Sequence, residues 1–143
     1  MALIGKLKTT DNLIFRGIQV EPQCFLCSCS AESHAHLFFE CDFSFNILKN
    51  ILPDFNVFLL RPNLFQAFEF IAQHEFYSST EKDFCCLTVS CIVYHLWRER
   101  NSRRFSNIRI NLVKLICNIT AAIRLKIAKW KNKEMLLIRF TGI

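Results

Sequence analysis

The sequence contains few of the residues that interrupt helices. Its 143 residues include only three Gly and three Pro. These two residue types are the strongest local breakers of regular structure, so their scarcity argues for long helices over a turn-rich sheet protein. Apolar residues make up 52% of the chain and include fifteen Phe, which is ample material for a core. We therefore predict an all-α fold.

Long hydrophobic runs and export signals are also missing. The apolar region from Phe84 to Trp97 is shorter than the ~20 residues that cross a bilayer, and it predicts a buried core helix. The first ten residues, MALIGKLKTT, lack the continuous apolar core of a secretory signal. We expect an intracellular protein, nuclear or cytoplasmic, whose eight Cys are not paired in disulfides.

Sets of residues that carry catalysis are absent as well. The chain shows no Ser-His-Asp arrangement, no spaced pair of carboxylates and no Gly-rich phosphate loop. We expect neither enzyme activity nor a small-molecule substrate.

Metal-binding residue types, in contrast, are concentrated in CFLCSCSAESHAHLFFEC, residues 24–41. Cys24 and Cys27 form a Cys-x2-Cys pair, and His36 and Cys41 form a His-x4-Cys pair. The first pair fits one tight turn, whereas the second needs a short helix, HAHLFFE, that unwinds at Cys41, because positions five apart do not share a helix face. Three cysteines and one histidine leave no ligand position for water, which predicts one structural zinc ion.

The choice of ligands within this cluster is less certain than the site itself. Cys29 could replace Cys27, and His34 could replace His36, since each lies two residues from its rival. Cys27 is preferred for its tight turn, and His36 because an apolar Leu-Phe-Phe follows it. The cysteines of the later apolar helix are predicted to be inert buried thiols; they are Cys85, Cys86 and Cys91.

The cluster and the segment before it resemble a known family. LKTTDNLIFRGI (7–18), CFLC and ES-x-AHLFFEC are similar to the zinc-binding domain that follows the polymerase in plant LINE-type (non-LTR) retrotransposon reverse transcriptases. The resemblance implies a non-catalytic module in a reverse transcriptase polyprotein. Two departures are the lack of the usual Trp near Leu48 and an entry into the domain part-way at Met1. We therefore expect an N-terminally truncated fragment.

Helix boundaries follow from capping residues and proline. We predict a short helix over 11–16, capped by Thr10 and stopped at Gly17, which packs on the zinc loop together with Leu3 and Ile4. A second helix, capped by Asp42, should end at Pro53. Two further predicted helices begin at Pro62, with a Leu64, Phe65, Phe68, Ile71 stripe, and at a Thr80–Asp83 capping box. The predicted units are residues 1–52, the zinc-binding module, and 53–143, a helical extension.

Acidic residues are nearly absent from residues 98–133. This segment has eleven Lys or Arg and one acid, Glu99, whereas the rest of the chain has seven basic and eleven acidic residues. Its apolar residues recur at steps of three and four, which predicts one amphipathic helix. The helix should bury Ile108, Leu112, Ile116, Ile119, Ile123, Ile127 and Trp130.

Such a basic segment favours phosphate binding without reading of sequence, on RNA or DNA. The predicted contacts are Arg98, Arg100, Arg103, Arg104, Arg124, Lys129, Lys131 and Lys133. The competing interpretations are a solvated helix face and a zinc-stabilised protein-interaction module whose basic helix docks on a partner. A membrane surface is a weaker candidate, because an apolar helix lies directly upstream to cover the apolar face.

Overall fold

The computed structural model describes residues 7–141, and α-helices dominate this range. The α-helices are α1 (Thr10–Phe15), α2 (Asp42–Ile51), α3 (Leu64–Ala72), α4 (Ser79–Asn101), α5 (Leu112–Lys126) and α6 (Lys133–Thr141). Short π-helical turns cover His36–Glu40 and Ser102–Ser106, and a 3₁₀-helical turn covers Pro53–Val57. The only β-pairing within 7–141 is an isolated antiparallel bridge between Gln23 and Ala31. The all-α prediction is confirmed, while Leu3 and Ile4 lie outside the described residues.

Short polar side chains set the starts of the later helices. The Asn63 side-chain oxygen accepts from the Gln66 backbone N–H at 2.9 Å, and the Gln66 side-chain oxygen accepts from the Asn63 backbone N–H at 2.9 Å. Ser78 accepts from Glu81 N–H at 3.2 Å, so Ser78 and not Thr80 caps α4. These bonds satisfy backbone donors that the first helical turn leaves free.

The first helix also differs from its prediction by one residue. It begins at Thr10, after an extended Thr9, and the Thr10 hydroxyl bonds to a distant carboxylate, as described below. It ends at Phe15, one residue before the predicted end. Gly17 provides the predicted stop, with φ +79°, a left-handed conformation that glycine adopts without a side-chain penalty.

The apolar stripe of α3 is narrower than predicted. Leu64, Ala67 and Ile71 are buried, whereas Phe65 is 67% exposed. Phe70, which the helical pattern placed off this stripe, instead packs on Phe55, with ring centroids 4.9 Å apart. Aromatic rings from the turn before α3 therefore extend the core beyond the helix's own buried face.

The predicted basic helix over 108–130 is interrupted at both ends. Residues 107–111 are not helical, Asn107 is left-handed at φ 52°, and Ile108 is 60% exposed. Asn111 caps α5 by accepting from Lys114 N–H at 2.8 Å. The helix then ends at Lys126, and a short turn leads into α6. The buried residues of α5 are Leu115, Ile119 and Ile123, and Ile127, directly after its end, is buried as well.

One hydrophobic core extends from the zinc-ligand segment to α6. It runs from Cys24 to Phe140 and includes α4 residues such as Phe84 and Ile92. Helix α2, in the first predicted unit, packs against α4, α5 and α6 of the second. The division at residue 52 remains a prediction, and it would cut through this core. Among the described residues, no helix is both long and apolar enough to span a membrane.

Candidate functional site

Four ligand atoms converge near the N-terminal part of the core. The thiols of Cys24, Cys27 and Cys41 and a ring nitrogen of His36 all lie within 4.8 Å of one another. Ligands about 2.0–2.3 Å from a tetrahedral centre lie about 3.3–3.8 Å apart. The Cys27 Sγ to His36 Nε2 distance of 3.3 Å matches that spacing. The donor set and its geometry fit a closed, four-coordinate zinc site.

A tight turn brings the first two thiols together. Cys24 N–H donates to Ser30 O at 2.8 Å, and Ser28 N–H donates to Cys24 O at 2.9 Å, with Ser28 left-handed at φ 58°. Within the turn, Leu26 N–H points at Cys24 Sγ and Cys29 N–H points at Cys27 Sγ, each at 3.4 Å. Backbone donors aimed at sulfur stabilise thiolates, the form that binds zinc.

A break in the helical backbone between His36 and Cys41 positions these two residues as the second pair of ligands. His36 N–H donates to Ser33 Oγ at 3.0 Å, which starts a short helical turn. The turn is broken at Phe38 and Phe39, and Phe39 has φ 93°, a costly conformation for a residue with a side chain. The fully buried Phe39 ring and a 2.9 Å bond from Phe39 N–H to Ser44 Oγ hold it there. As predicted, the helical turn does not continue to Cys41, which is extended.

The acid strengths of the buried thiols differ because of their neighbours. The Cys24 thiol, as a hydrogen-bond donor, lowers the pKa of Cys41 to about 5, and backbone N–H groups of Ser44 and Phe43 act in the same direction. Those two N–H groups belong to the start of α2, where unpaired donors favour an anion. The pKa of Cys24 is raised, first because its thiol donates this hydrogen bond to Cys41 and second because the thiol is buried. The site thus favours a thiolate at Cys41.

The two rival ligands face elsewhere. Cys29 is exposed, and its thiol donates to Cys27 O at 3.1 Å. The His34 ring packs edge-on against Phe38, with centroids 5.0 Å apart. The later cysteines carry no second cluster with a third ligand among residues 7–141, and burial raises the pKa of Cys85 to about 12.

A buried carboxylate ties the zinc loop to helix α4. Glu32 is 1% exposed, and its carboxylate accepts hydrogen bonds from Arg100 Nε and from a terminal nitrogen of the same guanidinium group, the latter at 2.6 Å. Thr10 donates to the same carboxylate through its backbone N–H at 2.9 Å and its hydroxyl at 3.0 Å. The Arg100 guanidinium lies near the rings of Phe25 and Trp97. Elements at residues 10, 32 and 100 therefore meet at one ion pair.

A second buried arginine contacts the backbone of the ligand turn. Arg103 donates to Phe25 O at 3.2 Å and Leu26 O at 3.0 Å, inside the Cys24–Cys27 turn. Its Nε donates to Glu99 at 2.7 Å, and Glu99 also accepts Ile110 N–H at 3.1 Å. Both arginines were assigned to phosphate binding from the sequence. Because their guanidinium groups are buried and bonded within the protein, we leave them out of the proposed nucleic-acid surface.

Helical spacing contains a signal for this burial. Ile92 and Leu96 are fully buried, and Arg100 follows at the next step of four on the same face of α4. The partner at residue 32 could not be found from that spacing, because it lies 68 positions away.

The other predicted basic residues have a different environment. Arg98, Arg124, Lys129 and Lys131 are exposed, whereas Arg104 and Lys133 are half-buried. Lys133 Nζ donates to Ala128 O at 3.1 Å, just beyond the end of α5. None of these six forms an ion pair within residues 7–141. Lys126 was not among the predicted contacts, but it is also exposed and forms no ion pair within residues 7–141. We refer to these seven residues as the basic surface: Arg98, Arg104, Arg124, Lys126, Lys129, Lys131 and Lys133.

Comparison with known proteins agrees with the geometry of the metal site. Residues 1–47 match the family described as zinc-binding in reverse transcriptase. This match covers all four ligands, and together with their convergence it identifies residues 24–41 as a zinc-binding segment. No curated protein and no solved structure matches the chain.

Proposed function

We propose that this chain is an accessory nucleic-acid-binding module of a LINE-type retrotransposon reverse transcriptase, of the kind found in plants. Zinc, when bound, supplies a structural crosslink, and it leaves no coordination position for a substrate. The chain's own residues would bind RNA or DNA through backbone phosphates, without reading bases. The matched family is a zinc-binding one and not the catalytic part of the enzyme.

The observation that carries this proposal is that the cations of the basic surface form no ion pairs within residues 7–141. Exposed pairs of opposite charge usually neutralise a helical surface, yet here the cations have no acidic partner within 4.0 Å among residues 7–141. Arg124 and Lys126 lie in the last turn of α5, where positive charge also complements the helix dipole. The other five charges of the basic surface lie on α4, in the turn that follows α4, or after the end of α5, so helix stabilisation alone does not account for the set.

Removing charges from the basic surface should flatten the salt dependence of nucleic-acid binding. We expect the logarithm of the wild-type binding constant to fall linearly with the logarithm of the salt concentration. The reason is that protein binding releases the salt cations condensed on the phosphates, and this release becomes less favourable as salt rises. Neutralising Arg124, Lys129 and Lys131 to Gln should reduce the slope by about 2 to 3, roughly one for each lost contact. Fluorescence anisotropy with labelled RNA and DNA oligomers, titrated at several salt concentrations, measures this slope.

The matched control removes three positive charges elsewhere. Lys8, Lys49 and Lys82 lie outside residues 98–133, and their change to Gln lowers the net charge by the same amount. That variant should keep most of the wild-type slope. Equal slopes in both triple variants, or an affinity that does not respond to salt, would contradict phosphate binding by the basic surface.

The alternative function is a zinc-stabilised protein-interaction module with no nucleic-acid role. In addition to the basic helix, an exposed apolar segment favours it: Leu59 is 100% exposed, Leu60 85% and Val57 67%. These side chains line an open cavity of about 620 Å³. Absence of nucleic-acid binding at low salt, in protein that is zinc-loaded and folded, would favour this alternative.

A further inference from the structure

A groove runs between α4 and α5 on the side of the basic surface. Two cavities of about 440 and 640 Å³ lie along this helix pair and share His95 and Ala122 as lining residues. Each is within the ~300–1,000 Å³ typical of ligand-sized clefts. The shared lining makes them one continuous depression that extends from Leu87 towards Ser102.

The groove contains an aromatic ring that the core does not use. Tyr94 lines it and is 59% exposed. The Arg98 guanidinium lies 5.6 Å from the Tyr94 ring centroid, and the edge-on His95 ring is 5.4 Å away. An aromatic ring with an adjacent arginine is a platform on which an unpaired base can stack.

The charges along the groove are of the sign that phosphate requires. Arg98 and Lys126 line it, and neither forms an ion pair among residues 7–141. The acid in the lining, Glu99, is bonded to Arg103 and to Ile110 N–H. Its charge is therefore compensated from within the protein, and the groove keeps a positive excess.

We propose that this groove binds single-stranded nucleic acid, with a base stacked on Tyr94 and flanking phosphates on Arg98 and Lys126. This inference rests on the proposed nucleic-acid function and adds the class of ligand. A duplex keeps its bases stacked inside and presents only phosphates and groove edges, whereas a single strand can insert a base into a recess. Because every base has a π-face, the site tolerates any sequence.

The test compares single-stranded and duplex oligomers of the same sequence on four full-length, zinc-loaded proteins. They are the wild type, Tyr94→Ala, Tyr94→Trp and Phe65→Ala. Loss of a stacking side chain weakens single-strand binding about 5- to 150-fold. We expect that loss in Tyr94→Ala on single strands only, with affinity retained in Tyr94→Trp. Phe65→Ala, which removes an equally exposed aromatic ring of α3 outside the groove, should bind as the wild type does.

The outcomes separate this inference from the proposed function. If Tyr94→Ala binds single strands as tightly as the wild type, with the steep salt dependence retained, the stacking site is wrong and phosphate binding stands. A wild type that prefers the duplex also overturns the single-strand assignment. If the wild type binds neither oligomer at low salt, the proposed function itself fails. Since Tyr94 is largely exposed, Tyr94→Ala should fold normally, which circular dichroism checks.

Discussion

Loss of any zinc ligand should unfold the N-terminal part of this protein. In Cys24→Ser and His36→Ala we expect zinc content to fall from one ion per chain to near zero, together with part of the helical signal. Structural zinc contributes an apparent ~10–16 kcal/mol to the folding of small finger peptides, which exceeds the stability of most domains. The Cys24–Cys41 segment contains a strained Phe39 and little regular structure to hold it without the ion. Metal analysis beside circular dichroism, before and after a strong chelator, measures both effects.

The chain offers matched controls for this experiment. Cys29→Ser and His34→Gln alter the same residue types two positions from the assigned ligands, but neither side chain belongs to the converging set. Both should retain one zinc and the wild-type spectrum. Full zinc content in Cys24→Ser would refute the assigned ligand set, and a metal-free wild type with full helical signal would refute a structural role for zinc.

Breaking the buried Glu32–Arg100 pair should strongly destabilise the protein. We expect Arg100→Ala to lower the free energy of unfolding by about 3–5 kcal/mol, because it leaves an uncompensated carboxylate in the interior. Glu32 would still have Thr10 as a donor, but no ion-pair partner within 4.0 Å among residues 7–141. Urea denaturation of zinc-loaded protein measures the loss. Zinc transfer to a chelator should also become faster, since the pair joins α4 to the ligand loop.

Two comparisons make that result specific. Arg98→Ala removes an exposed arginine from the same helix and should cost well under 1 kcal/mol, as surface substitutions usually do. The double variant Glu32→Gln, Arg100→Met removes both charges, and its loss should be smaller than the sum of the two single losses. A stability of Arg100→Ala close to that of Arg98→Ala, or strict additivity in the cycle, would show that the pair does not hold the two regions together.

The two networks also explain the split within the arginine-rich segment. RERNSRR looks uniform in sequence, yet Arg100 and Arg103 are buried and Arg98 is exposed. Arg103 lies three positions after Arg100, so the helical turn directs both towards the ligand loop. Charge counting treats all four arginines alike, whereas the structure leaves Arg98 and Arg104 for the surface.

The sequence alone determined the metal site and the fold class because both depend on local rules. Cysteine and histidine spacing limits which side chains can reach one ion, and scarce Gly and Pro with helical periodicity favour helices. Helix starts were predicted to within a few residues. Asn63 caps α3, one residue after the predicted start at Pro62, and Ser78 caps α4 in place of Thr80. Helices α1 and α2 instead begin at Thr10 and Asp42, the residues predicted to cap them. The break in the basic helix was missed, because it depends on a tertiary contact: Glu99 accepts Ile110 N–H within the non-helical residues 107–111.

Only the tertiary structure determined which residues far apart in sequence pair with one another. Glu32 appears in sequence as one acid near a zinc motif, and Arg100 as one of many basic residues. Their pairing joins positions 68 apart, and no local rule links residues at that separation. The groove at Tyr94 likewise exists only because α5 packs beside α4. Metal-ligand spacing and helix periodicity depend on a few neighbouring residues. Whether a charged side chain is buried in an ion pair or exposed to solvent depends on which distant elements pack together.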